Sequence, residues 1–168
     1  MQLLILRHGV AKDREDFAAS GNSDDLRPLT KGGKRKMKQI ANGLRSQIDS
    51  IDHLATSPMT RAWQTGEFVA DAFDIETKAV VACLVPGVSF DDFAQGCTTL
   101  HDIDTLAIVG HEPHLSSLDT WLLTGSDESK IELRKGGSCL IEFESLPRRN
   151  AGMLKWVLTP RQLRALAR

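Results

Sequence analysis

The stretch Leu3-Leu4-Ile5-Leu6-Arg7-His8-Gly9 carries the strongest information about the fold. Four consecutive apolar residues predict a short strand that is buried on both faces. An arginine, a histidine and a glycine follow directly, so this strand brings a cation and an imidazole to its carboxyl end. Ligands of open α/β proteins bind at that edge of the sheet. The same three residues would also suit an ordinary turn, but their position makes His8 a candidate nucleophile.

Alternating apolar patterns predict the rest of the architecture. Strand-like segments are found at residues 3–6, 54–56, 80–84, 106–109, 139–144 and 154–158, with a hairpin-like loop at 147–152. Helical patterns are found over 31–48, from 58 onward, over 115–123 and over 160–167. This order is typical of a three-layer α/β/α sandwich with a mixed, mostly parallel sheet of about six strands. A single domain over residues 1–168 is expected.

Capping residues predict where the helices begin and end. Thr30 is well placed to cap the helix over 31–48, and Ser57 followed by Pro58 is typical of an N-cap with proline at the first helical position. Gly125 is expected to end the helix over 115–123. The helix over 31–48 has a basic outer face, formed by Lys31, Lys34, Arg35, Lys36 and Lys38. Such a face is usually a solvated surface, and the alternative is docking of an acidic partner.

The composition excludes several classes of protein. A formal net charge of -1 gives no reason to expect nucleic acid or an anionic membrane as a partner. No apolar run approaches transmembrane length, and the N-terminus lacks the pattern of a secretory signal, so a cytoplasmic location is expected. Cys83, Cys97 and Cys139 are odd in number and widely spaced. They predict three buried thiols rather than a disulfide framework or a zinc site.

Four segments bring cationic or imidazole groups to strand ends or loops. They are Arg7-His8-Gly9, Arg27-Pro28-Leu29-Thr30, the run from Ser57 to Thr65, and Gly110-His111-Glu112-Pro113. Because helical side chains tilt toward the N-terminus, Arg61 is expected to reach back over Ser57 toward the sheet edge. Five charged or imidazole side chains would then converge: Arg7, Arg27, Arg61, His8 and His111. Such a cluster requires an anionic ligand, and phosphate oxygens match the planar guanidinium fork.

Taken together and in this order, these motifs resemble the histidine phosphatase superfamily. Members of that family have a phosphoglycerate mutase-like fold that places an Arg-His-Gly nucleophile at the end of the first strand. The match extends from residue 3 to residue 113, and the short chain is similar to the small SixA-type phosphohistidine phosphatases. That branch also matches in Arg27-Pro28-Leu29-Thr30, Ser57-Pro58, Arg61-Ala62, Gln64-Thr65 and Leu158-Thr159-Pro160.

The resemblance implies a phosphatase that uses neither a metal nor a cofactor and works through a phosphohistidine intermediate. His8 would attack phosphorus through one ring nitrogen, while the other donates to a backbone carbonyl. The groups implied to hold the equatorial oxygens in the transition state are Arg7, Arg61 and His111. Further phosphate-binding candidates are Gly9, Arg27, Ser57 and Glu112, although Ser57 is interpreted first as a helix cap. Asp24 is either a partner that orients Arg27 or, as we favour, a solvated loop residue.

The segment 85–92 departs from the larger members of the superfamily, many of which carry a carboxylate general acid after the third strand. Here there is no glutamate, and Asp91 and Asp92 are expected at a solvated helix start. The missing acid suits phosphohistidine, whose imidazole leaving group departs readily once it is protonated. No segment is long enough for a substantial lid, so an open site is expected to admit a side chain of another protein.

These observations favour a phosphatase that removes phosphate from phosphohistidine on a protein. The partner would be a phosphorylated protein, for example a histidine-phosphotransfer domain, or a small phosphate compound; the motifs specify no oligomeric state. The alternatives are a small phosphomonoesterase with Asp91 or Asp92 as its acid, and a phosphate-recognition module without turnover. The other histidines, His53, His101 and His114, are interpreted as surface or capping residues.

Overall fold

The computed structural model describes residues 1–76, 78–81, 84, 87–100, 102–126 and 128–167, in which strands and helices alternate. The strands are β1 (Gln2–Arg7), β2 (His53–Thr56), β3 (Lys78–Val80), β4 (Thr105–Gly110), β5 (Ser138–Glu142) and β6 (Met153–Leu158). The helices are α1 (Arg14–Ala19), α2 (Lys31–Leu44), α3 (Thr60–Phe73), α4 (Phe90–Cys97), α5 (His114–Thr124) and α6 (Pro160–Leu166). A 3-10 turn spans Asp24–Leu26.

All six of these strands form one sheet in the order β3-β2-β4-β1-β5-β6. The first four strands of that order are parallel, and β5 is antiparallel to both β1 and β6. Leu4 and Leu6 pack on one face with side chains from α2, α3 and α6. Leu3 and Ile5 pack on the other face with side chains from α4 and α5. The predicted three-layer sandwich with a mixed sheet is therefore confirmed.

The strand ends are aligned at one edge of the sheet. Thr56 lies opposite Val109 in the pairing of β2 with β4, and Arg7 lies opposite Gly110 in the pairing of β1 with β4. Because these three strands are adjacent and parallel, the residues that follow them leave the sheet side by side. Those residues are Ser57, His111 and His8.

Most predicted boundaries are close to the observed ones. The Thr30 hydroxyl accepts the Gly33 N–H at 2.8 Å and caps α2, and Gly125 ends α5 in the left-handed conformation. The predicted third strand, 80–84, overlaps β3 only at Val80, where β3 ends, and residues 82 and 83 of that prediction lie outside the described residues. The partner strand β2 ends at Thr56, so the pairing stops there. Cys97 and Cys139 are buried, and Cys83 lies outside the described residues.

The sequence patterns predict no element between residues 10 and 30, where α1 and the 3-10 turn lie. Neither element contains a buried residue, so neither has the apolar periodicity that identifies a helix. Both nevertheless belong to the wall of the cleft described below. In the part of the chain that the structure describes, no helix is long and apolar enough to cross a membrane.

Candidate active site

A cleft of about 520 Å³ lies at the edge of the sheet where β1, β2 and β4 end. Its lining residues are Arg7, His8, Ala11, Lys12, Asp13, Arg14, Asp24, Arg27, Met59, Arg61, His111, Glu112 and Lys135. Six of the candidate site residues therefore meet in one place. Gly9 and Ser57 are not among the lining residues, although each contacts a histidine that is.

His8 is held in one tautomer by its neighbour. Its Nδ1 lies 2.7 Å from the Gly9 carbonyl oxygen, so Nδ1 carries the proton and donates it. The lone pair is then on Nε2. Burial lowers the pKa of His8 to about 3, and the charges of His111, Arg61 and Arg7 act in the same direction, against the Gly9 hydrogen bond. The imidazole is therefore neutral and nucleophilic at neutral pH.

His111 is the second imidazole of the cleft, with its ring centroid 5.0 Å from that of His8. Its Nε2 lies 2.8 Å from the Ser57 hydroxyl oxygen, and its buried Nδ1 has no hydrogen-bond partner among the described residues. When the hydroxyl donates to Nε2, the ring proton resides on Nδ1. Burial, assisted by Arg61, lowers the pKa of His111 to about 3. The low pKa keeps the His111 ring neutral, and in this tautomer Nδ1 is a donor that a ligand can use.

The arginines also retain unused hydrogen-bonding capacity. Arg7 donates from Nη1 to the Leu133 carbonyl at 2.6 Å, and Arg61 donates from Nη1 to the Asp24 carbonyl at 2.7 Å. The Nε atoms of both arginines are buried without a partner within the described part of the chain. Buried cationic donors are costly unless they are paired. An anion bound in the cleft would accept hydrogen bonds from these unpartnered donors.

Asp24 contacts three of the four arginines that line the cleft. Its carboxylate lies 2.8 Å from Arg27 Nε, 3.1 Å from Arg61 Nη2 and 3.4 Å from Arg14 Nε. Partial burial raises the pKa of Asp24, but the Arg27 hydrogen bond and the Arg61 charge outweigh it, so the pKa is lowered. The interpretation of Asp24 as a solvated loop residue was wrong. Arg61 is 37 positions away in sequence, so only the spacing to Arg27 could have indicated this contact.

Comparison with known proteins decides the family. A model of the histidine phosphatase superfamily (branch 1) matches residues 3–81. An uncharacterized protein of Picosynechococcus sp. is 32% identical to this chain over 139 residues, which cover 82% of each sequence. The chain belongs to the histidine phosphatase superfamily.

Two further comparisons place the chain near one branch of the histidine phosphatase superfamily. Phosphohistidine phosphatase SixA of Escherichia coli is 28% identical over 167 residues, which are 98% of this chain and 97% of SixA. The structure of the protein histidine phosphatase SixA complexed with tungstate matches with a TM-score of 0.81 and 25% identity, covering 97% of this chain and 99% of that one. The predicted similarity to the SixA type is confirmed.

Gly9 does not have the contacts of a phosphate ligand in this superfamily member. Its N–H donates to the Thr65 hydroxyl at 3.0 Å and is therefore engaged. A Cβ at this position would lie 2.5 Å from Cγ of Met37, so the close approach requires glycine. The contribution of Gly9 is its carbonyl, which orients His8.

Glu112 likewise differs from its predicted role as a phosphate ligand. Its Oε1 accepts the Ser116 hydroxyl at 2.6 Å and the Leu133 N–H at 2.9 Å. The carbonyl of Leu133 in turn accepts the hydrogen bond from Arg7. A carboxylate repels phosphate oxygens, so the contacts fit a residue that positions Arg7. Nothing in the sequence indicates the Leu133 contact, because it is made by the backbone.

Ser57 does not cap a helix, which corrects the prediction. Helix α3 begins at Thr60, and its N-cap Met59 makes no side-chain capping bond. The Ser57 hydroxyl accepts the Met59 N–H at a long 3.4 Å and lies close to His111. Its shorter contact is the one with the imidazole, so Ser57 belongs to the site as a partner of His111.

The remaining candidates lie away from the cleft or outside the described residues. Asp91 and Asp92 are exposed in the first turn of α4, as predicted, and do not line the cleft. His53 is half-buried in β2. The surface interpretation of His114 was wrong, because it is buried against the Phe90 ring. His101 lies outside the described residues. No group of His, Cys, Asp or Glu within the described chain is arranged to hold a metal ion.

Proposed function

We propose that this protein is a phosphohistidine phosphatase that removes phosphate from a phosphorylated protein. The observation that carries the proposal is the hydrogen bond from His8 Nδ1 to the Gly9 carbonyl, which leaves Nε2 as a neutral nucleophile among cationic donors. The full-length similarity to SixA supports the substrate class. Tungstate, which is bound in the similar SixA structure, is a tetrahedral oxyanion like phosphate.

The reaction would proceed in two displacements. In the first, His8 Nε2 forms a bond to phosphorus while the P–N bond of the substrate breaks and the leaving imidazole takes a proton from water. In the second, water attacks phosphorus, the bond to His8 breaks, and inorganic phosphate is released. The unpartnered Nε atoms of Arg7 and Arg61 and Nδ1 of His111 would hold the equatorial oxygens.

The carboxyl groups of the cleft favour this leaving group over an alcohol. Backbone N–H donors of Asp16 and Glu15 lower the pKa of Asp13, and the pKa of Asp24 is lowered as described above. Both are therefore ionised at neutral pH and have no proton to donate. Glu112 is held by Ser116 and Leu133. An alkoxide needs a general acid, whereas an imidazole leaving group can take its proton from solvent.

The partner and setting are part of the same proposal. The partner is a phosphorylated protein, such as a histidine-phosphotransfer domain, and a small phosphate compound is the alternative. Residues 1–168 act as one domain, since the strands share a single sheet. The buried thiol of Cys139, which donates a hydrogen bond to Asp119, fits the reducing conditions of a cytoplasmic location.

A side-by-side rate comparison tests the proposal. We expect kcat/KM for a phosphohistidine peptide to exceed that for the matching phosphoserine peptide by about 10²-fold or more, which is the scale of a missing general acid. Comparable rates would favour the phosphomonoesterase. Binding of phosphate with turnover of neither peptide would favour a recognition module. The variant His53→Ala, which removes an imidazole outside the cleft, is the matched control for His8→Ala.

A further inference from the structure

The segment 26–48 has an unusual distribution of charge. It contains seven cations and no acidic residue, although the whole chain carries 21 Lys and Arg against 22 Asp and Glu. The seven are Arg27, Lys31, Lys34, Arg35, Lys36, Lys38 and Arg45. The five between Lys31 and Lys38 are exposed, and none of them forms an ion pair with another residue that the structure describes.

Four of these side chains form what we term the α2 stripe: Lys31, Lys34, Arg35 and Lys38. The buried face of α2, which contains Met37, Ile40 and Leu44, lies on the opposite side of the helix. Lys31 and Lys38 are seven residues apart, so the stripe is about 10 Å long. Since the apolar face of α2 belongs to the core, the helix cannot insert into a lipid surface.

The α2 stripe opposes local helix stability. The first turn of α2 carries Lys31 and Lys34 and no acid, whereas α1 and α4 each have two acidic residues in their first turn. Cations near a helix N-terminus oppose the helix dipole, and like charges four residues apart repel each other. Thr30 caps the helix, but none of the four cations forms an ion pair with a described residue that would offset the repulsion. A charge pattern that disfavours the fold and remains unpaired is expected where a partner binds.

The α2 stripe begins beside the cleft. The Lys12 N–H donates to the Pro28 carbonyl at 2.9 Å, and the Thr30 N–H donates to the Val10 carbonyl at 3.0 Å. These bonds join the start of α2 to the segment that lines the cleft. Three exposed cations, Lys12, Arg14 and Lys135, stand at the cleft itself. The start of the α2 stripe and two of these cations, Lys12 and Arg14, therefore lie on chain segments that are hydrogen-bonded to each other.

We propose that the α2 stripe is the docking surface for an acidic face of the protein that carries the phosphohistidine. The proposal rests on the proposed function and names the charge of its partner. Complementary charge of this kind accelerates association and selects the partner, while the chemistry inside the cleft is unchanged. Substrates with acidic residues at a distance from the phosphohistidine are therefore preferred.

The experiment combines two peptides with two charge reversals. Both peptides carry one phosphohistidine, followed after about six residues, roughly 20 Å of extended chain, by a run of glutamates in one and of glutamines in the other. The variant is Lys34→Glu. The matched control is Arg148→Glu. Arg148 is exposed and follows β5, and the last residue of β5, Glu142, pairs with Gln2 at the end of β1 that is away from the cleft.

For the unmodified protein we expect the glutamate peptide to have a kcat/KM about tenfold above that of the glutamine peptide at low salt, with the difference lost at high salt. Lys34→Glu should remove this preference, and Arg148→Glu should retain it. Hydrolysis of free phosphohistidine should be the same in all three proteins. Lys34→Glu should also have an equal or higher Tm, because it places a carboxylate at the start of α2.

Equal kcat/KM values for the two peptides would contradict the proposal that the α2 stripe is a docking surface. The same loss of the preference for the glutamate peptide in Lys34→Glu and Arg148→Glu would also contradict it. So would tighter binding of a DNA duplex than of the glutamate peptide at the α2 stripe. If neither phosphohistidine peptide is hydrolysed, the proposed function fails. The stripe is then judged by fluorescence anisotropy of the unphosphorylated peptides, in which absence of a Lys34-dependent preference for glutamate contradicts it.

Discussion

The cleft and the core below α5 both bury polar atoms that have no partner among the described residues, and the two regions differ in what surrounds these atoms. In the cleft these atoms are His111 Nδ1 and the Nε atoms of Arg7 and Arg61. In the core below α5, Oδ1 of Asp119 is unpartnered, and its Oδ2 accepts the Cys139 thiol at 3.3 Å. Burial raises the pKa of Asp119 to about 7 and also raises the pKa of Cys139.

The two regions differ in whether a ligand can reach them. The residues that carry the unpartnered atoms of the cleft, Arg7, Arg61 and His111, line an open space of about 520 Å³. Asp119 is 1% exposed, and Cys139 packs in the apolar cluster beneath α4 and α5. Shifted pKa values therefore mark burial in both regions, but only the cleft joins them to a shared, reachable volume. We expect substitutions in the cleft to alter catalysis and substitutions at Asp119 to alter stability.

The largest effect is expected for Arg61→Ala. Loss of this guanidinium should lower kcat/KM for a phosphohistidine peptide by about 10²- to 10³-fold, since the group is organised around the transition-state charge before reaction. Steady-state kinetics measure the loss, and Arg164→Ala in α6 is the matched control. Arg61→Lys should not restore the rate, because an ammonium lacks the planar fork. An unchanged rate would show that Arg61 does not bind the phosphoryl group.

The free energy of unfolding should depend on pH in opposite directions for the ionisable groups of the two regions. His8 and His111 have pKa values lowered to about 3, so between pH 6.5 and 3 the unfolded chain binds protons that the folded chain does not. Each histidine should reduce the free energy of unfolding by about 1.4 kcal/mol per pH unit as the pH falls through this range. Urea titrations at pH 7, 6 and 5 measure this slope. The slope should be smaller in His111→Asn, and an identical slope would contradict the buried neutral imidazole.

Asp119 should make the free energy of unfolding fall as the pH rises, which is opposite to the effect of the two histidines. Its pKa is raised to about 7, so the stability it contributes is present at low pH and is lost as the pH rises from 3.8 through 7. Asp119→Asn should therefore increase the free energy of unfolding at pH 8 by about 2 kcal/mol and leave it unchanged at pH 4. Its kcat/KM should stay within about twofold of the unmodified protein. A large rate loss without unfolding would erase the contrast between the two regions.

The smallest effect is expected for Asp91→Asn. This carboxylate lies in the exposed first turn of α4 and does not line the cleft. Hydrolysis of phosphohistidine should change by less than about twofold, against the 10²-fold or more expected for a general acid. Stopped-flow release of phosphate measures the rate. A large loss here would support the phosphomonoesterase.

The sequence predicts the parts of the site that depend on local pattern. A buried strand followed by Arg7 and His8, and another followed by His111, meet at one edge because β1 and β4 are parallel neighbours. Their meeting depends on the order of the strands in the sheet; the apolar runs predict the strands themselves but not that order. The Thr30 cap of α2 is equally local.

The sequence does not predict contacts in which two groups compete for one side chain, or contacts between residues far apart in the chain. Ser57 has the pattern of a helix cap, but His111 takes its hydroxyl, and no local pattern contains that contact. Asp24 reaches Arg61 from a segment without buried residues, so apolar periodicity gives no signal there. The Leu133 carbonyl that holds Arg7 is a backbone group and is independent of side-chain type.

The most direct measurement of the central claim is the detection of phosphate on His8 during turnover. A ³²P-labelled phosphohistidine peptide is mixed with the protein, the reaction is quenched in alkali within milliseconds, and the labelled residue is identified by mass spectrometry. Nucleophilic catalysis by His8 predicts an acid-labile, alkali-stable adduct on this residue that forms before phosphate is released. The adduct should be absent in His8→Ala and present in His53→Ala. Label on another residue, or retained in His8→Ala, would contradict the account.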